Sequence, residues 1–198
     1  IFDVGGSSVF FNNDSDIIPV LGFLNSKFAY ELLKLYNPTI NYQVNDIRSL
    51  PINDKIYDNT ICKIANENVS LSKSDWDAHE TSWDFKRNPL YEQFLLCMDD
   101  NLQNVVPRST PLEGLLKYDV PEAKHPLSTC MRNYTDMWEI NFMRLHRNEE
   151  ELNRKFIEIY GLQDELTPDV PLDEITILQK GEISIQDNKI VWHKDVII

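Results

Sequence analysis

Hydrophobic positions recur three or four residues apart at Leu127, Met131, Tyr134, Trp138, Phe142, Leu145, Leu152, Phe156 and Ile159. The one longer gap is bridged by Glu149. This period predicts a helix with a single apolar face. No Gly or Pro interrupts it, and Gly161 stands where a C-terminal cap belongs. Such a helix would run roughly 50 Å, long enough for a spine or a spacer. Its other face carries ion-pair spacing, Glu150 to Arg154 and Glu151 to Lys155.

The remaining pattern is shorter-ranged. Ile1–Val4 and Ser8–Phe11 read as strands around a Gly5-Gly6-Ser7 turn. Pro19 suits the first turn of a helix with Leu21, Leu24, Phe28, Leu32 and Leu35 inside. That helix should stop near Tyr36, because Pro38 disfavours helical geometry at Asn37. Asn53 or Asp54 can cap a helix using Ile56, Tyr57, Ile61 and Ile64, which fades at Asn66–Asn68. Ser72-Lys73-Ser74-Asp75 has capping-box spacing and predicts a new short helix from Lys73. Residues 99–126 carry Pro107, Pro111, Pro121 and Pro126 and read as a loop-rich connector, with a short helix over Leu112–Tyr118. After the long helix, Pro168 and Pro171 mark an extended linker. Glu182–Gln186 and Lys189–His193 then alternate around Asp187-Asn188, a two-residue hairpin whose Ile183, Ile185, Ile190 and Trp192 need cover. The fold class is therefore α+β, mainly α. It divides at residues 1–52, 53–126 and 127–198.

Composition narrows the classes. The chain has 198 residues, 42% of them hydrophobic and 11% aromatic, which suits a folded core rather than disorder. It has no apolar run long enough for a membrane span and no basic leader at Ile1-Phe2-Asp3-Val4. The start without Met and the apolar end at Val196-Ile197-Ile198 predict a piece of a longer protein. Cys62, Cys97 and Cys130 are far apart and read as free thiols in a reducing cytoplasm. Net charge is −13, and both halves are acidic. Nucleic-acid binding depends on phosphate neutralisation, so this chain alone should bind DNA weakly.

Several short strings imitate chemistry. Gly5-Gly6 lacks the Gly-Lys-Ser/Thr of a phosphate loop and the third Gly of a dinucleotide fingerprint, so it reads as a turn. Glu122-Ala123-Lys124 resembles half of a nuclease site, yet lies between prolines with no acidic partner. Asn88-Pro89-Leu90-Tyr91 mimics the Asn-Pro-Pro-Tyr motif of amino-methyltransferases, but Leu90 replaces the second Pro and no glycine-rich cofactor loop precedes it. His193 is isolated and reads as a surface or structural residue. Trp76, Trp83 and Phe85 could stack on bases. They are read as buried anchors between helices, because their carboxylate neighbours would repel phosphate.

Three longer strings carry a resemblance. The first is Glu149-Glu150-Glu151-Leu152-Asn153-Arg154-Lys155-Phe156-Ile157-Glu158-Ile159-Tyr160-Gly161, continuing to Pro168. The second is Leu21-Gly22-Phe23-Leu24-Asn25-Ser26-Lys27, with Asn37-Pro38-Thr39-Ile40-Asn41-Tyr42-Gln43-Val44 and Leu50-Pro51-Ile52. The third runs from Ser72 through Trp76, Trp83 and Phe85 to Leu90. Together they resemble the C-terminal region of large bacterial adenine-specific DNA methyltransferases, of the phage-defence type found in BREX and phage-growth-limitation systems. The second string is also similar to the closing segment of target-recognition domains in restriction-modification systems. His79 stands where the third pattern has an aromatic, and Asn88 where it has His.

The resemblance implies methyl transfer from S-adenosylmethionine to adenine N6 in double-stranded DNA by the longer protein. The cofactor loop and adenine-holding motif of that family have no counterpart here, so no catalytic, cofactor or metal residue is assigned. The chain reads as the end of a target-recognition domain plus a helical spacer, in a cytoplasmic bacterial protein. Candidate DNA contacts are Lys27, Lys34, Asn41, Gln43, Arg48, Lys86 and Arg87. Asn and Gln suit adenine edges in the major groove, and the cations suit phosphates. The competing expectation is an acidic helical scaffold that docks partner subunits of the defence complex, without base contacts.

Overall fold

The computed structural model describes residues 8–39, 41–97, 127–178 and 181–193. Among these residues the helices are α1 (Ile17–Leu24), α2 (Lys27–Tyr36), α3 (Val44–Arg48), α4 (Asn59–Asp77), α5 (Pro89–Cys97) and α6 (Leu127–Tyr160). Strands β1 (Ile183–Gln186) and β2 (Lys189–Trp192) form a two-stranded antiparallel sheet. The expected mainly helical α+β class, with one long helix and a C-terminal hairpin, is borne out. The chain forms two compact units: Ile1–Ser70 with Arg144–Glu174, and Leu71–Met143 with Ile175–Ile198. Helices α4 and α6 give residues to both.

The first unit is built on an aromatic core. Phe156 and Leu152 of α6 bury with Val20, Phe23, Phe28, Ala29, Leu33, Leu50, Ile56, Ile61 and Ala65. Phe23 meets Phe156 edge-on at 5.8 Å, and Phe28 stacks on Tyr160 at 4.0 Å. Aromatic pairs in these geometries add to plain area burial. Gly22 lets α1 approach α4 closely: a Cβ there would sit 3.2 Å from the Ala65 Cβ. The Tyr160 hydroxyl donates to the Pro51 carbonyl and accepts from the Asn53 amide at 3.2 Å. The predicted cap at Gly161 is present. Its φ is +69°, Leu162 N donates to Ile157 O at 3.0 Å, and Gly161 N donates to Glu158 O at 3.2 Å. That paired arrangement closes the last turn of a helix and needs the left-handed backbone glycine tolerates.

The linker after α6 is strapped to it by side chains. Asn153, buried on the apolar seam, donates to the Pro168 carbonyl at 3.3 Å. Its other end accepts the Lys27 amide at 2.8 Å, one of the orphan donors at the start of α2. His146 Nε2 donates to the Val170 carbonyl at 2.8 Å and lies 3.4 Å from Glu150. Glu149 beside them is mostly buried. Burial pushes its carboxyl up to about 7, with His146 pulling it down and Glu174 pushing it up to smaller extents.

The second unit gathers Cys130, Tyr134, Trp138 and Phe142 of α6, with Tyr91, Ile175, Ile177, Leu178 and Ile183. The hairpin pairs Ile183 with Trp192 and Ile185 with Ile190. Asp187 and Asn188 both have positive φ, 48° and 58°, as the expected two-residue turn requires. Cover for the hairpin comes from α6, where the Tyr134 ring meets Trp192 at 6.3 Å. Asp75 accepts the Leu178 amide at 3.0 Å. His79 Nδ1 donates to the Asp75 carbonyl at 2.7 Å, while Nε2 faces Glu182 at 3.5 Å.

Local expectations fail where a polar side chain redirects the backbone. The helix expected from Pro19 to Tyr36 is two helices. Buried Ser26 accepts from the Ala29 amide at 3.2 Å and donates to the Phe23 carbonyl at 2.6 Å, ending one helix and capping the next. The break rotates the inner face, so Phe23, Ala29 and Leu33 are buried while Leu21 and Leu35 are exposed. The helix from Asn53 is a single 3-10 turn, Asp54–Tyr57. Asp58 then caps α4 through the Thr60 amide at 2.8 Å. Helix α4 does not fade at Asn66–Asn68 and passes through Ser72–Asp75, where a new start was expected. Ser8–Phe11 has no strand. The Ile1–Val4 strand, the Gly5-Gly6-Ser7 turn, the Leu112–Tyr118 helix and Glu122-Ala123-Lys124 lie outside the described residues. Of the expected ion pairs, Glu151–Lys155 forms at 3.7 Å, whereas Arg154 pairs with Glu151 and not with Glu150.

Candidate nucleic-acid interface

Five of the seven candidate contacts fall on one short run of the first unit, α2 through α3. Lys27 and Lys34 are seven residues apart on α2, so they share a face about 10 Å apart along the axis. Tyr30 lies between them, and the Lys34 ammonium sits 5.0 Å over its ring. Lys34 also pairs with Glu31 at 3.6 Å. Lys27 is tied back: its ammonium lies 3.5 Å from the Thr167 hydroxyl and 3.4 Å from the Asp169 carbonyl. Arg48 ends α3, is exposed, and forms no ion pair among the described residues.

The loop between these helices is organised by Asn37. Its amide nitrogen donates to Asp46 at 2.8 Å and to the Asn41 carbonyl at 3.2 Å, and its oxygen accepts from the Thr39 amide at 3.0 Å. The Gln43 amide donates to Asp46 at 2.7 Å, the capping arrangement that starts α3. These bonds, Asn37 first, hold the Asp46 carboxyl below its ordinary range, so it stays an anion and keeps the loop closed. Asn37 is therefore spent on structure. Asn41 and Gln43 are exposed, each on backbone that these bonds fix.

The other two candidates belong to the second unit. Arg87 pairs with Glu92 at 3.2 Å, while Lys86 is exposed and forms no ion pair among the described residues. Asn88 caps α5 through the Leu90 amide at 2.8 Å, which gives Asn88-Pro89 a structural role. The tryptophans overturn an expectation. Trp83 is fully exposed and Trp76 is exposed, so neither is a buried anchor; Phe85 is half-buried. The reason is local. Ser82 takes the buried position and its hydrogen bonds turn the next residue outward. His193 is exposed, with its amide bonded to the Glu182 carbonyl at 2.7 Å.

Asn153 and Ser26, the two buried polar hubs of the first unit, have no distinctive motif. Their signal is a small polar residue standing within an apolar stripe.

An open depression of about 680 Å³ is lined by Asp54, Lys55, Tyr57, Asp58, Lys155 and Glu158 around Ile61 and Ile159. Charges of both signs line it, and it has no glycine-rich strand-to-helix turn of the kind that cradles a nucleotide cofactor. No group of three or more His, Cys, Asp or Glu among the described residues is placed to hold a metal ion. No helix among them is long and apolar enough to cross a membrane.

No protein-family model and no solved structure matches the chain. Two curated proteins do. The chain is 29% identical over 181 residues to adenine-specific methyltransferase PglX of Lacticaseibacillus casei (strain Zhang), a match covering 89% of this chain and 13% of that protein. It is 37% identical over 94 residues to adenine-specific methyltransferase BrxX of Escherichia coli O9:H4 (strain HS), covering 46% of this chain and 8% of that protein. The chain thus spans a small part of the length of both relatives. The resemblance read from the three strings is borne out at that level: this chain is similar to one segment of proteins named adenine-specific methyltransferases.

Proposed function

We propose that this chain is a non-catalytic segment of a longer adenine-N6 DNA methyltransferase of the phage-defence type, and that it recognises and orients duplex DNA. The observation that carries the reading is the similarity to PglX along 89% of the chain, which spans 13% of that protein. S-adenosylmethionine would be held, and the methyl group moved, by polypeptide outside these residues. The role of this segment is positional. Lys34 and Arg48 meet phosphates, while Asn41 and Gln43, on a loop fixed by Asn37 and Asp46, reach base edges. A duplex held in register lets a base be turned out into a distant pocket. Lys27 and Arg87, each engaged within its own unit, contribute less than Lys34 and Arg48.

The test is the salt dependence of duplex affinity in the full-length protein. Replacing Lys34 and Arg48 with Ala lowers the slope of log affinity against log salt by about one for each phosphate no longer neutralised. An unchanged slope overturns the DNA assignment. The net charge of −13 then favours the second reading, an acidic scaffold for partner subunits.

A further inference from the structure

We propose that residues 166–172 form a strap that opens and closes on α6 with pH, and that Glu149 is the group that works it. Neutral, Glu149 lies beside the closed strap; ionised, it drives the strap off. The inference rests on no DNA contact and on no outside partner.

The strap is extended and runs back along the helix it follows. Leu166, Pro168, Val170 and Leu172 are half-buried or buried, while Thr167, Asp169 and Pro171 between them are exposed. That alternation is a strand's. Yet residues 167–170 make no backbone-to-backbone hydrogen bond among the described residues. Side chains hold them instead. His146, Glu150 and Asn153 recur at helical spacing on one stripe of α6. Asn153 donates to the Pro168 carbonyl at 3.3 Å, and His146 Nε2 donates to the Val170 carbonyl at 2.8 Å. The Val170 amide donates to Glu150 at 3.4 Å. From α2, the Lys27 ammonium lies 3.4 Å from the Asp169 carbonyl. A segment held in this way can leave without breaking a helix or a sheet, which makes it a unit of local opening.

Glu149 is placed to decide whether it leaves. It falls between the buried stripe of Leu145, Leu152 and Phe156 and the stripe that holds the strap. It is half-buried, and among the described residues its carboxyl makes no hydrogen bond and no ion pair. The surrounding charges are otherwise engaged or repulsive. On α6, His146 lies 3.4 Å from Glu150. On α4, Glu67 is taken by Arg144 at 2.6 Å and by Asn148 at 3.1 Å. On α2, Lys27 is spent on the strap itself. On the linker, Glu174 is a like charge. A carboxylate at Glu149 therefore loses water without gaining a partner. Burial pushes it up to about 7, with His146 lowering it and Glu174 raising it to smaller extents. Release of the strap returns it to water and to its ordinary 4.5. Below 4.5 the carboxyl is neutral in both forms. Between 4.5 and about 7 the strapped form keeps a proton that the released form gives up, so rising pH favours release, and above that window the effect levels off.

Amide hydrogen exchange of the full-length protein, read by mass spectrometry and divided by the intrinsic rate at each pH, tests this. From pH 6 to pH 8 the corrected exchange of peptides covering residues 166–174 should rise roughly tenfold, the ratio set by carboxyl values near 7 and 4.5 in the two forms. Peptides of α2, in the same unit, should stay unchanged. Glu149→Gln, neutral and of the same shape, should abolish the rise and leave α2 protected. Should α2 lose its protection in that variant, Glu149→Met is read in its place with the same expectation. Three results overturn the proposal: corrected strap exchange that is equal at both pH values, a rise shared by α2, or a rise that persists in the neutral variant.

Discussion

The two units solve the burial problem differently. In the first, aromatic rings interlock and the buried polar side chains Ser26 and Asn153 are partnered, each donating one hydrogen bond and accepting one. Only the Asn68 side-chain oxygen, near the edge of that unit on α4, is buried without a partner among its described residues. In the second, the buried Tyr91 hydroxyl and the indole nitrogens of Trp138 and Trp192 have no hydrogen-bond partner among the described residues. A fully exposed tryptophan stands in the same unit. Buried polar atoms normally find partners, because leaving one unmade costs about 1–3 kcal/mol. The centre of the first unit is closed on itself, and its exposed α2–α3 loop is free to serve recognition. The second has buried polar groups without partners among the described residues and one fully exposed tryptophan.

The largest effect should come from the first unit's centre. Phe156→Ala removes the ring that meets Phe23 and should cost about 3–5 kcal/mol, read from the denaturation midpoint. Next, Asn153→Ala strips the Lys27 amide and the Pro168 carbonyl of a buried partner and should cost about 2–3 kcal/mol. A loss under about 0.5 kcal/mol would show that this unit does not depend on those two bonds.

Glu149 gives a pH signature. Its carboxyl titrates near 7 when folded and near 4.5 ordinarily. Between those values the folded chain holds the extra proton, so stability falls as pH rises through that window. Glu149→Gln should flatten this slope and stabilise the chain above pH 7 by about 1 kcal/mol, after allowing for the exposed part of the side chain. Urea titrations at several pH values read both effects. Smallest of all, Trp83→Ala should change stability by less than about 0.5 kcal/mol, because the side chain touches water and not the core. A larger loss would make Trp83 structural and narrow the contrast between the units.

Long periodic signals were legible in the sequence. Helix α6 runs Leu127–Tyr160, its glycine cap is in place, and the Asp187-Asn188 hairpin has the expected turn. Each depends on local geometry that repeats or on residues with one strong preference. The break at Ser26 was not legible, since a serine inside an apolar stripe reads equally as a tolerated helical residue. The capping-box spacing at Ser72–Asp75 misled for a related reason: with no chain break before it, the same residues continue α4. The exposure of Trp83 was hidden because it follows from Ser82, Asp77 and Lys73 meeting in space. For the candidate interface, residue types suggested Asn41 and Gln43. Only the hydrogen bonds reveal Asn37, which builds the loop that presents them.

Mapping the methylated adenines left by the full-length protein, before and after replacing Asn41 and Gln43 with Ala, bears on all of this at once. If these side chains face base edges, the recognised motif should relax at one or more positions, with about 1–3 kcal/mol of discrimination removed along with each bidentate pair. Methylation of the same motif at the same rate would mean that this loop reads no sequence.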